Sequence, residues 1–545
     1  MKEKRRIMHS TLPNAQENIV DRFIGYFAPE RAVRRRYART VLAATEGYKG
    51  ASRSRRGLSD FKASTGSADY IVNNDLPILR ERSRDLVRNN PLAGGAINTT
   101  VNSVVGTGLR LNARIDRDVL GMTKEEARAF ENEAEYAFRV WCDECDIERA
   151  LSFYDIQELV FRSTLENGDV LVLLPHYPRA GDAFGLKLQV VEGDRLCNPH
   201  SQPDSEYLSS GVKLDATGAA VAYWIMTQHP GDLKVGYRRE WQEYAALSES
   251  GRVNVLHLFR KLRAGQHRGI PYLAPVIEPL KQLDRYTDAE IMAAVIAGMF
   301  TVFIESDSPD GFSDMMPTDD AAGSGSSEEY KLNYGAMVDL NPGEKITTAN
   351  PGRPNAQFDP FVTSVYRQIG VALELPYEVL IKHFTSSYSA ARAAILEAWR
   401  FFHARRAWLV RGLCTPVYRT WMTEAVARGY LNAPGFLEDP FVRHAYLGAE
   451  WIGPTQGQID PVKEVQAAEK RLALKLTTRS EECAAITGTD WDRKVPQILD
   501  EEELVGAVKL SGQTSGTGSN GNTDENDDEN DNEGDEQQGT TRRPS

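Results

Sequence analysis

RSRDLVRNNPLAGGAINTTVNSVVGTGLRL, residues 82–111, is the stretch that best predicts how this chain folds. Apolar residues recur at helical spacing across 76–105, and Asn89-Asn90-Pro91 interrupts them. Because proline lacks an amide donor and restricts the residue before it, we predict two consecutive helices. Gly106 and Gly108 should end the second helix, since glycine readily adopts the left-handed conformation found there. The apolar positions are Leu79, Leu86, Ala93, Ile97 and Val101.

A third helix is predicted at 123–141. Thr123 can cap it, and Glu126 three residues later completes the pattern of a capping box. Its apolar face is formed by Ala127, Phe130, Ala134 and Phe138. Further helices are predicted at 275–299, at 358–375, at 389–428, from Asp460-Pro461 to about 476, and after a cap at Thr478. Pro416 should kink or divide the longest of these helices, and Gly429 should end it.

Residues 169–260 have the pattern of β-structure. The strand-like segments are 170–174, 186–191, 211–225 and 253–259. The third of these is predicted to be a hairpin that turns at Asp215–Gly218. Helices on both sides of a β-rich stretch predict an α+β fold.

The chain has 545 residues and a formal net charge of −13, which is distributed unevenly. Residues 1–60 carry 14 Lys and Arg against 6 Asp and Glu, and residues 511–545 have a net charge of −7. The body between them, 61–510, has a net charge of −14. A composition of 41% hydrophobic and 26% charged residues excludes a wholly disordered, collagen-like or polytopic membrane chain. The acidic body also argues against a simple nucleic-acid-binding protein.

Three segments are expected to lack stable structure. The basic arm 1–60 is either a mobile terminus or an arm that binds acidic partners or nucleic acid. The tail 511–545 is rich in Ser, Gly, Asn, Asp and Glu and should be disordered. Residues 305–335 read as a polar insertion. The apolar run 291–304 has 14 residues, fewer than the roughly 20 that span a bilayer.

The sequence contains no recognised catalytic motif. It lacks the P-loop, G-x-S-x-G and H-E-x-x-H patterns, and the only G-x-G-x-x-G lies in the acidic tail. Glu192-x-Asp194 and Asp319-Asp320 are the nearest candidates for a metal-dependent nuclease. The first pair is better explained as a strand end, and the second as part of a loop. We therefore expect no enzymatic activity, metal or cofactor.

The five cysteines do not form a disulfide or zinc pattern. Cys142 and Cys145 make one C-x-x-C, but no second pair or nearby histidine follows at zinc-site spacing. They are interpreted as incidental cysteines at the end of the 123–141 helix. An odd, scattered set is typical of a reducing compartment.

The opening stretch and three later segments, in the same order, resemble the lambda-type portal proteins of tailed bacteriophages. VLHLFRKLRAGQHRGIPYLAPVI (255–277) is similar to the family's H-x-F…G-Q-x-R-G-x-P, and FTSSYSAARAAILEAWR (384–400) to N-Y-S-S-A-R. EWIGPTQGQIDPVKEVQAAEKRL (450–472) matches W-x-G-P…D-P-x-K-E. This sequence departs from the family at Ser387-Tyr388-Ser389-Ala390. The matching residues are Asn90, Pro91, Gly106, Gly108, His257, Gln266, Arg268, Gly269, Pro271, Arg392, Trp451, Gly453, Pro454, Asp460, Pro461, Lys463 and Glu464.

This resemblance implies a structural subunit of the virion and not an enzyme. Portals of this kind form a ring, a homododecamer in the family, at the unique capsid vertex, and double-stranded DNA is packaged and ejected through it. The implied partners are the terminase large subunit, the major capsid and scaffold proteins, and the head–tail connector proteins, with no membrane. The protein would lie in the host cytoplasm during assembly and at the portal vertex afterwards. An acidic body fits a channel in which DNA must slide.

The family fold has a β-rich wing, a helical stem, a clip, a tunnel loop and a helical crown. The resemblance assigns these parts as follows: 1–60 flexible basic arm, 61–274 wing, 275–299 stem helix, 300–350 clip with a flexible insertion, 351–380 second stem helix, 381–389 tunnel-loop region, 390–435 long wing helix, 436–510 crown, and 511–545 disordered acidic tail. The residues it places in the DNA channel are Lys382, His383, Ser386, Ser387 and Tyr388.

Other interpretations remain open at this point. The segment 382–388 can equally be an ordinary surface turn between two helices, with Tyr388 packing where the next helix begins. For the whole chain, the alternatives to a portal are a DNA-processing enzyme and a non-portal virion scaffold or adaptor.

Overall fold

The structure is a computed structural model of the chain. Several sequence predictions concern residues that the structure does not describe. These are Ser386, the Asp319-Asp320 pair, most of the basic arm, most of the 305–335 insertion and the tail from 514 onward. The described residues are 26, 28–31, 34–35, 60–63, 65–232, 239–298, 302–306, 344–348, 356–384, 387–457 and 460–513.

The chain divides into two compact units. The smaller one comprises 1–76 and 261–268, and the larger one comprises 77–260 and 269–545. The larger unit contains the four motifs except for 261–268 of the second motif, which belong to the smaller unit and include Gln266 and Arg268.

Two consecutive helices, α1 (Ala68–Asn89) and α2 (Pro91–Val104), confirm the prediction for the opening stretch. The break falls at Asn90, whose backbone is extended and whose side chain accepts an amide hydrogen bond in the first turn of α2. Gly106 and Gly108 follow the second helix with φ values of +58° and +99°. Both therefore occupy the left-handed region that glycine tolerates best.

Strand β1 (Arg110–Ala113) is followed by three helices, α3 (Arg117–Leu120), α4 (Lys124–Glu144) and α5 (Phe153–Asn167). Thr123 and Glu126 form the predicted capping box at the start of α4. Helix α5 was not predicted, although Ser152 and Asp155 form a second capping box at its start. It lies ahead of the β-rich residues 169–260, within the 61–274 stretch that the resemblance assigned to the wing.

The β-structure consists of small sheets. A three-stranded sheet has the order β3-β2-β8, and a four-stranded sheet has the order β4-β5-β6-β7. All their neighbouring strands are antiparallel. The predicted strand 186–191 is shorter than expected, because regular pairing begins at Gln189. The strands are β2 (Asp169–Leu173), β3 (Gln189–Glu192), β4 (Leu208–Ser209), β5 (Val212–Leu214), β6 (Ala220–Met226), β7 (Trp241–Ala245) and β8 (Val255–Phe259).

After the sheets come α6 (Ile277–Gly298), the antiparallel strands β9 (Val302–Ser306) and β10 (Glu344–Thr348), α7 (Phe358–Ala372) and the short α8 (Tyr377–Ile381). The predicted 358–375 helix therefore ends three residues early, at Ala372.

The predicted long helix at 389–428 is divided, as its proline suggested. Helix α9 (Tyr388–Leu409) continues through one π-helical turn (Val410–Cys414) into α10 (Thr415–Ala427). The wider turn comes directly before Pro416, which cannot donate the usual helical hydrogen bond. Gly429, with φ of +74°, follows the helix end as predicted.

The C-terminal part is helical apart from one strand. Asp460 and Thr478 cap helices, as the sequence predicted. The elements are α11 (Pro440–Tyr446), β11 (Ala449–Ile452), α12 (Pro461–Ala473), α13 (Arg479–Thr487) and α14 (Trp491–Gln513).

One large hydrophobic core joins the helices of the larger unit to the face of β2. Its centre is aromatic: Trp141, Phe153, Tyr418 and Trp421 are almost completely buried. A second, smaller core lies between the two larger sheets. The α+β class predicted from the sequence is confirmed. No helix within the described ranges is long and apolar enough to cross a membrane.

Candidate functional site

The first and the last of the four motifs are in contact. At Gly106 an added Cβ would overlap Cγ of Pro454, and at Gly108 it would lie 2.5 Å from the ring of Tyr154. At Gly453 it would lie 2.5 Å from Cδ2 of Leu109. Real Cβ contacts are not this close, so packing requires glycine at all three positions, and the positive φ of Gly106 and Gly108 requires it there as well.

Arg406, in α9, connects the same two motifs. Its Nε donates to the carbonyl of Val104 over 3.0 Å, and Nη2 donates to the carbonyls of Ser103 over 3.0 Å and Pro454 over 2.7 Å. Burial lowers the pKa of this guanidinium to about 10, which leaves it cationic at neutral pH. The last carbonyls of α2 have no amide of their own helix to bind, and the charged side chain of Arg406 donates to them instead.

Trp451 lies on the edge where β1 and β11 pair. It is opposite Leu111 in the antiparallel register, and its ring centroid is 6.0 Å from that of Phe138 and 6.3 Å from that of Phe153. The tryptophan of the last motif is therefore part of the aromatic core.

Asp169 organises the second motif. Its side chain is completely buried and forms an ion pair with Arg80 of α1. Nε2 of His257 lies 3.3 Å from Oδ2, and the amide of Gly269 donates to the same oxygen over 3.3 Å. A buried carboxylate needs such partners, because its desolvation is otherwise unfavourable. Two motif residues are thus held by an aspartate that lies outside every motif.

Close backbone packing accompanies this ion pair. An added Cβ at Gly269 would overlap the carbonyl of Gly168, and one at Gly168 would lie 2.7 Å from the carbonyl carbon of Gly269. Pro271 follows, and its carbonyl accepts the Ala274 amide over 3.0 Å as a short 3₁₀ turn begins. The Gly-x-Pro part of the motif therefore permits a close approach of two chain segments.

Gln266 closes the 261–268 turn in the smaller unit. Its Oε1 accepts from the amides of Leu262 and Arg263 over 2.8 and 3.1 Å, and its Nε2 donates to the carbonyl of Arg268 over 2.8 Å. Gln266 is 1% exposed and Arg268 is 2% exposed. Within their unit, Gln266 fixes the backbone of this loop, and Arg268 supplies one of the carbonyls that it binds.

The 382–388 segment lies between α8 and α9. Lys382 ends α8 with φ of +55°, in the left-handed conformation, and the amides of Lys382 and His383 both donate to the carbonyl of Glu378. Lys382, His383, Ser387 and Tyr388 are all exposed in the single subunit. The amino group of Lys382 and the imidazole of His383 are thus accessible. This exposure is equally consistent with a surface turn and with a channel loop.

Tyr388 begins α9 and connects this turn to the third and fourth motifs. Nη1 of Arg392 lies 3.3 Å from the Tyr388 hydroxyl, and Nζ of Lys463 lies 6.0 Å from the ring centroid. Asp460 caps α12 ahead of Pro461, and its Oδ2 lies 3.0 Å from Nζ of Lys463. Hydrogen bonding and charge from Asp460 raise the pKa of Lys463, so its ammonium is retained beside the tyrosine ring. Glu464 lies in the first turn of α12, where its charge suits the helix N-terminus.

The candidate nuclease carboxylates have other partners. Asp194 forms an ion pair with Arg84, and Oε2 of Glu192 lies 3.5 Å from Nε2 of His229. Glu192 ends β3 at a 3₁₀ turn, as predicted. Within the described residues, no three His, Cys, Asp or Glu side chains come together in a way that could hold a metal ion.

Sequence reasoning missed Asp169, Arg80 and Arg406. Asp169 does carry a local signal, because it is a charged residue at the start of the apolar strand DVLVL. A charge in such a place requires a buried partner. Neither arginine carries a comparable signal, because each lies on a helix that has many other charged residues.

Taken together, the four motifs hold the framework of an α+β subunit in place and do not surround a reaction centre within the described residues. Residues 54–406, more than half of the chain, match the family described as phage portal protein, lambda family. The chain therefore belongs to the lambda family of phage portal proteins, which confirms the resemblance. A phage portal protein is a structural component of the virion.

Curated relatives cover most of the chain. It is 28% identical over 491 residues to portal protein B of Escherichia phage lambda, an alignment that covers 85% of this chain and 90% of that protein. It is 27% identical over 488 residues to the portal protein of Escherichia phage N15, with 85% and 91% covered. It is 25% identical over 453 residues to the probable portal protein of Halomonas phage phiHAP-1, with 81% and 83% covered.

Solved structures with a similar chain include the neck of a native GTA particle computed with C12 symmetry. The TM-score is 0.39 at 12% identity, and 76% of this chain and 94% of that chain are covered. The virion of a native gene transfer agent particle gives a TM-score of 0.38 at 14% identity, with the same coverage.

Proposed function

We propose that this portal protein assembles into a closed ring at one capsid vertex and that double-stranded DNA enters and leaves the capsid through the ring. The observation that carries the proposal is the family match over 54–406. It is supported by the first motif, inside that region, and the last motif, beyond it. The fold brings these two motifs into contact at Gly106 and Pro454.

Exposed apolar side chains on the two proposed stem helices support contact between copies of the chain. Ile291 and Met292 on α6 are 56% and 59% exposed, and Val371 on α7 is 82% exposed. Ile291, Met292 and Val295 lie within about one turn of α6 and form an exposed apolar patch, a feature that commonly marks an interface. In the proposed assignment α6 and α7 form the stem, β9 and β10 belong to the clip, 381–389 is the tunnel loop, and 436–510 is the crown.

The partners in this proposal are the terminase large subunit during packaging, the major capsid and scaffold proteins around the ring, and the head–tail connector proteins once packaging is complete. Assembly takes place in the host cytoplasm. The ring itself performs no chemistry, and the ion pair of Asp194 with Arg84 supports a structural use of that carboxylate.

Electron microscopy of the purified full-length protein tests the proposal. We expect rings with a central hole, and we expect Met292→Glu to abolish them, because a charge would be buried between subunits. Val119→Glu is the matched control, since Val119 is 57% exposed on α3, outside the proposed stem. Monomers of the unchanged protein under all conditions would contradict the proposal. Metal-dependent DNA cleavage that is lost on changing Glu192 and Asp194 would favour the enzyme instead.

A further inference from the structure

A cleft of about 750 Å³ lies between two helices and a turn of the larger unit. One wall is a single face of α10, from Pro416 to Ala427 at helical spacing, and the opposite wall is α11. The turn at 250–253, which joins β7 to β8, closes one side.

The cleft is lined by three arginines, one from each of these elements: Arg252, Arg419 and Arg443. Arg252 Nη2 donates to the carbonyl of Leu174 over 2.7 Å. Arg443 donates to the carbonyls of Phe436 and Leu437. These neutral acceptors hold the guanidiniums in place without cancelling their charge. None of the three forms an ion pair with a carboxylate in the described part of the chain.

The one acidic side chain in the cleft, Glu424, is already neutralised. Its two oxygens accept the amides of Gly185 and Leu186 over 2.7 and 2.8 Å, and Nε of Arg428 lies 2.7 Å away. The cleft is thus strongly basic, within a body of 450 residues whose net charge is −14.

The most acidic segment of the chain is DENDDENDNEGDE, residues 524–536, with nine carboxylates and no basic residue. It has the charge that complements the cleft. Its residues are Asp, Glu, Asn and Gly, so no bulky side chain would have to fit a shaped pocket.

This segment can reach the cleft within one chain. Asp492, at the start of α14, forms an ion pair with Arg114. The amide of Arg114 donates to the carbonyl of Gly448, just beyond α11, so the start of α14 lies near α11. Helix α14 extends about 33 Å from there. The 11 residues from its end at Gln513 to Asp524 can extend about 36 Å. The chain after Gln513 is therefore long enough to run back along α14 and bring residues 524–536 to the cleft.

We infer that the cleft between α10 and α11 is a binding site for an acidic polypeptide and that residues 524–536 of the same chain occupy it. The tail then acts as a built-in competitor, which keeps phosphates and acidic partners away from Arg252, Arg419 and Arg443. Because the tail is tethered, its effective concentration at the cleft is on the order of millimolar. This inference does not depend on ring formation.

Binding of a fluorescent peptide tests the inference. The peptide DENDDENDNEGDE is titrated into the full-length protein and into a full-length variant in which the nine carboxylates of 524–536 are changed to amides. We expect the peptide to bind the amide variant about tenfold or more tightly than the unchanged protein, because the natural competitor no longer occupies the cleft. Binding should weaken as salt is raised.

Charge reversals in the amide variant locate the site. Arg419→Glu should abolish peptide binding, whereas Arg411→Glu should not. Arg411 is the matched control, because it is an exposed arginine on the preceding π turn, outside the cleft. Arg419→Gln, which is milder, should weaken binding and keep the test valid if the reversal disturbs folding.

Three results would overturn the inference. Equal peptide binding by the unchanged protein and the amide variant would show that the tail does not occupy the cleft. Equal losses from Arg419→Glu and Arg411→Glu would show that only diffuse charge attracts the peptide. Duplex DNA that binds the unchanged protein and requires Arg419 would identify the cleft as an open nucleic-acid site.

Discussion

Gly106 lies so close to Pro454 that a hydrogen atom fits between them but a methyl group does not. The backbone of Gly106 is also left-handed, with φ of +58°. The first and last motifs of the chain therefore meet at a point where both conformation and space require glycine.

We expect Gly106→Ala to be more destabilising than the same change at Gly121. Gly121 has a similar φ of +66°, but an added Cβ there would meet no described atom within 4 Å. Gly121→Ala should cost about 1–2 kcal/mol of unfolding free energy from backbone strain alone. Gly106→Ala should add about 1–3 kcal/mol of overpacking against Pro454. Chemical denaturation of the two variants measures the difference, and equal losses would contradict the contact.

Asp169→Asn should destabilise the protein strongly. The change keeps the size of the side chain but removes the carboxylate that neutralises the buried cation of Arg80, a loss of about 3–5 kcal/mol. Asp118→Asn serves as the control, because the Asp118 side chain is 91% exposed. Denaturant midpoints compare the two variants. A shift at Asp169 no larger than that at Asp118 would show that the buried ion pair is not important for stability.

The double change Lys382→Ala and His383→Ala should leave folding and ring assembly intact and alter DNA packaging or retention. Both side chains are exposed, and the backbone amides of both residues donate to the carbonyl of Glu378. If the turn faces passing DNA, loss of positive charge weakens transient contacts with phosphates, and the effect should be greatest at low salt.

Lys124→Ala, at an exposed position on α4, is the control for this packaging experiment. The readouts are the yield of filled heads and their stability over a range of salt. Normal values for the double variant would identify 382–388 as a simple surface turn. Loss of rings would identify it as a subunit interface.

Asp492 should make the attachment of α14 dependent on pH. Burial raises its pKa, but hydrogen bonds and charge from Arg114 and Arg128 outweigh this, so the pKa is lowered below its usual value. Its contribution to stability is therefore present above about pH 4 and is lost as the pH falls through the lower folded pKa.

The measurement is the difference in unfolding free energy between the unchanged protein and Asp492→Asn at several pH values. We expect about 1 kcal/mol at pH 7, because the pair is partly exposed, and a difference that shrinks as the pH falls below about 4 and vanishes once the carboxyl is protonated in both states. A difference that stays constant with pH would contradict an ionic role for this carboxylate.

Thiol labelling should separate the five cysteines into two groups. Cys142, Cys145 and Cys414 are buried free thiols, and burial raises the pKa of each. They should remain unlabelled at pH 8, because only the thiolate reacts. Cys197 and Cys483 are partly exposed and should react. Mass spectrometry of native and denatured protein checks this, and rapid labelling of Cys142 in the native protein would contradict the described packing.

Local features of the fold could be predicted because a few neighbouring residues determine them. The break at Asn90 and the cap at Thr123 each depend on hydrogen bonds within one turn of helix. Helix α5 has the same kind of signal in Ser152 and Asp155, so it could have been found with the same rules. The π turn before Pro416 was predicted only as a kink, since proline specifies a defect but not its form.

Contacts between distant segments could not be predicted in this way. Strand β1 pairs with β11, and Leu111 lies opposite Trp451, a pairing that depends on the assembled helices between them. Asp169 gathers Arg80, His257 and Gly269 from three separate parts of the chain. The family resemblance identified Trp451, His257 and Gly269 but not Asp169 or Arg80, and only the three-dimensional arrangement shows that these residues stabilise one framework.

The three carbonyls bound by Arg406 also limit how the gene for this protein can recombine with related genes. A single guanidinium serves Ser103, Val104 and Pro454, so the segments that supply them depend on one another. An exchange of gene fragments between related phages that replaced only the N-terminal 150 residues would combine donor and acceptors of different origin. Such hybrids should keep this junction only when the C-terminal parent supplies the arginine and the N-terminal parent ends its second helix in the same backbone conformation, so these distant stretches should be inherited as a block.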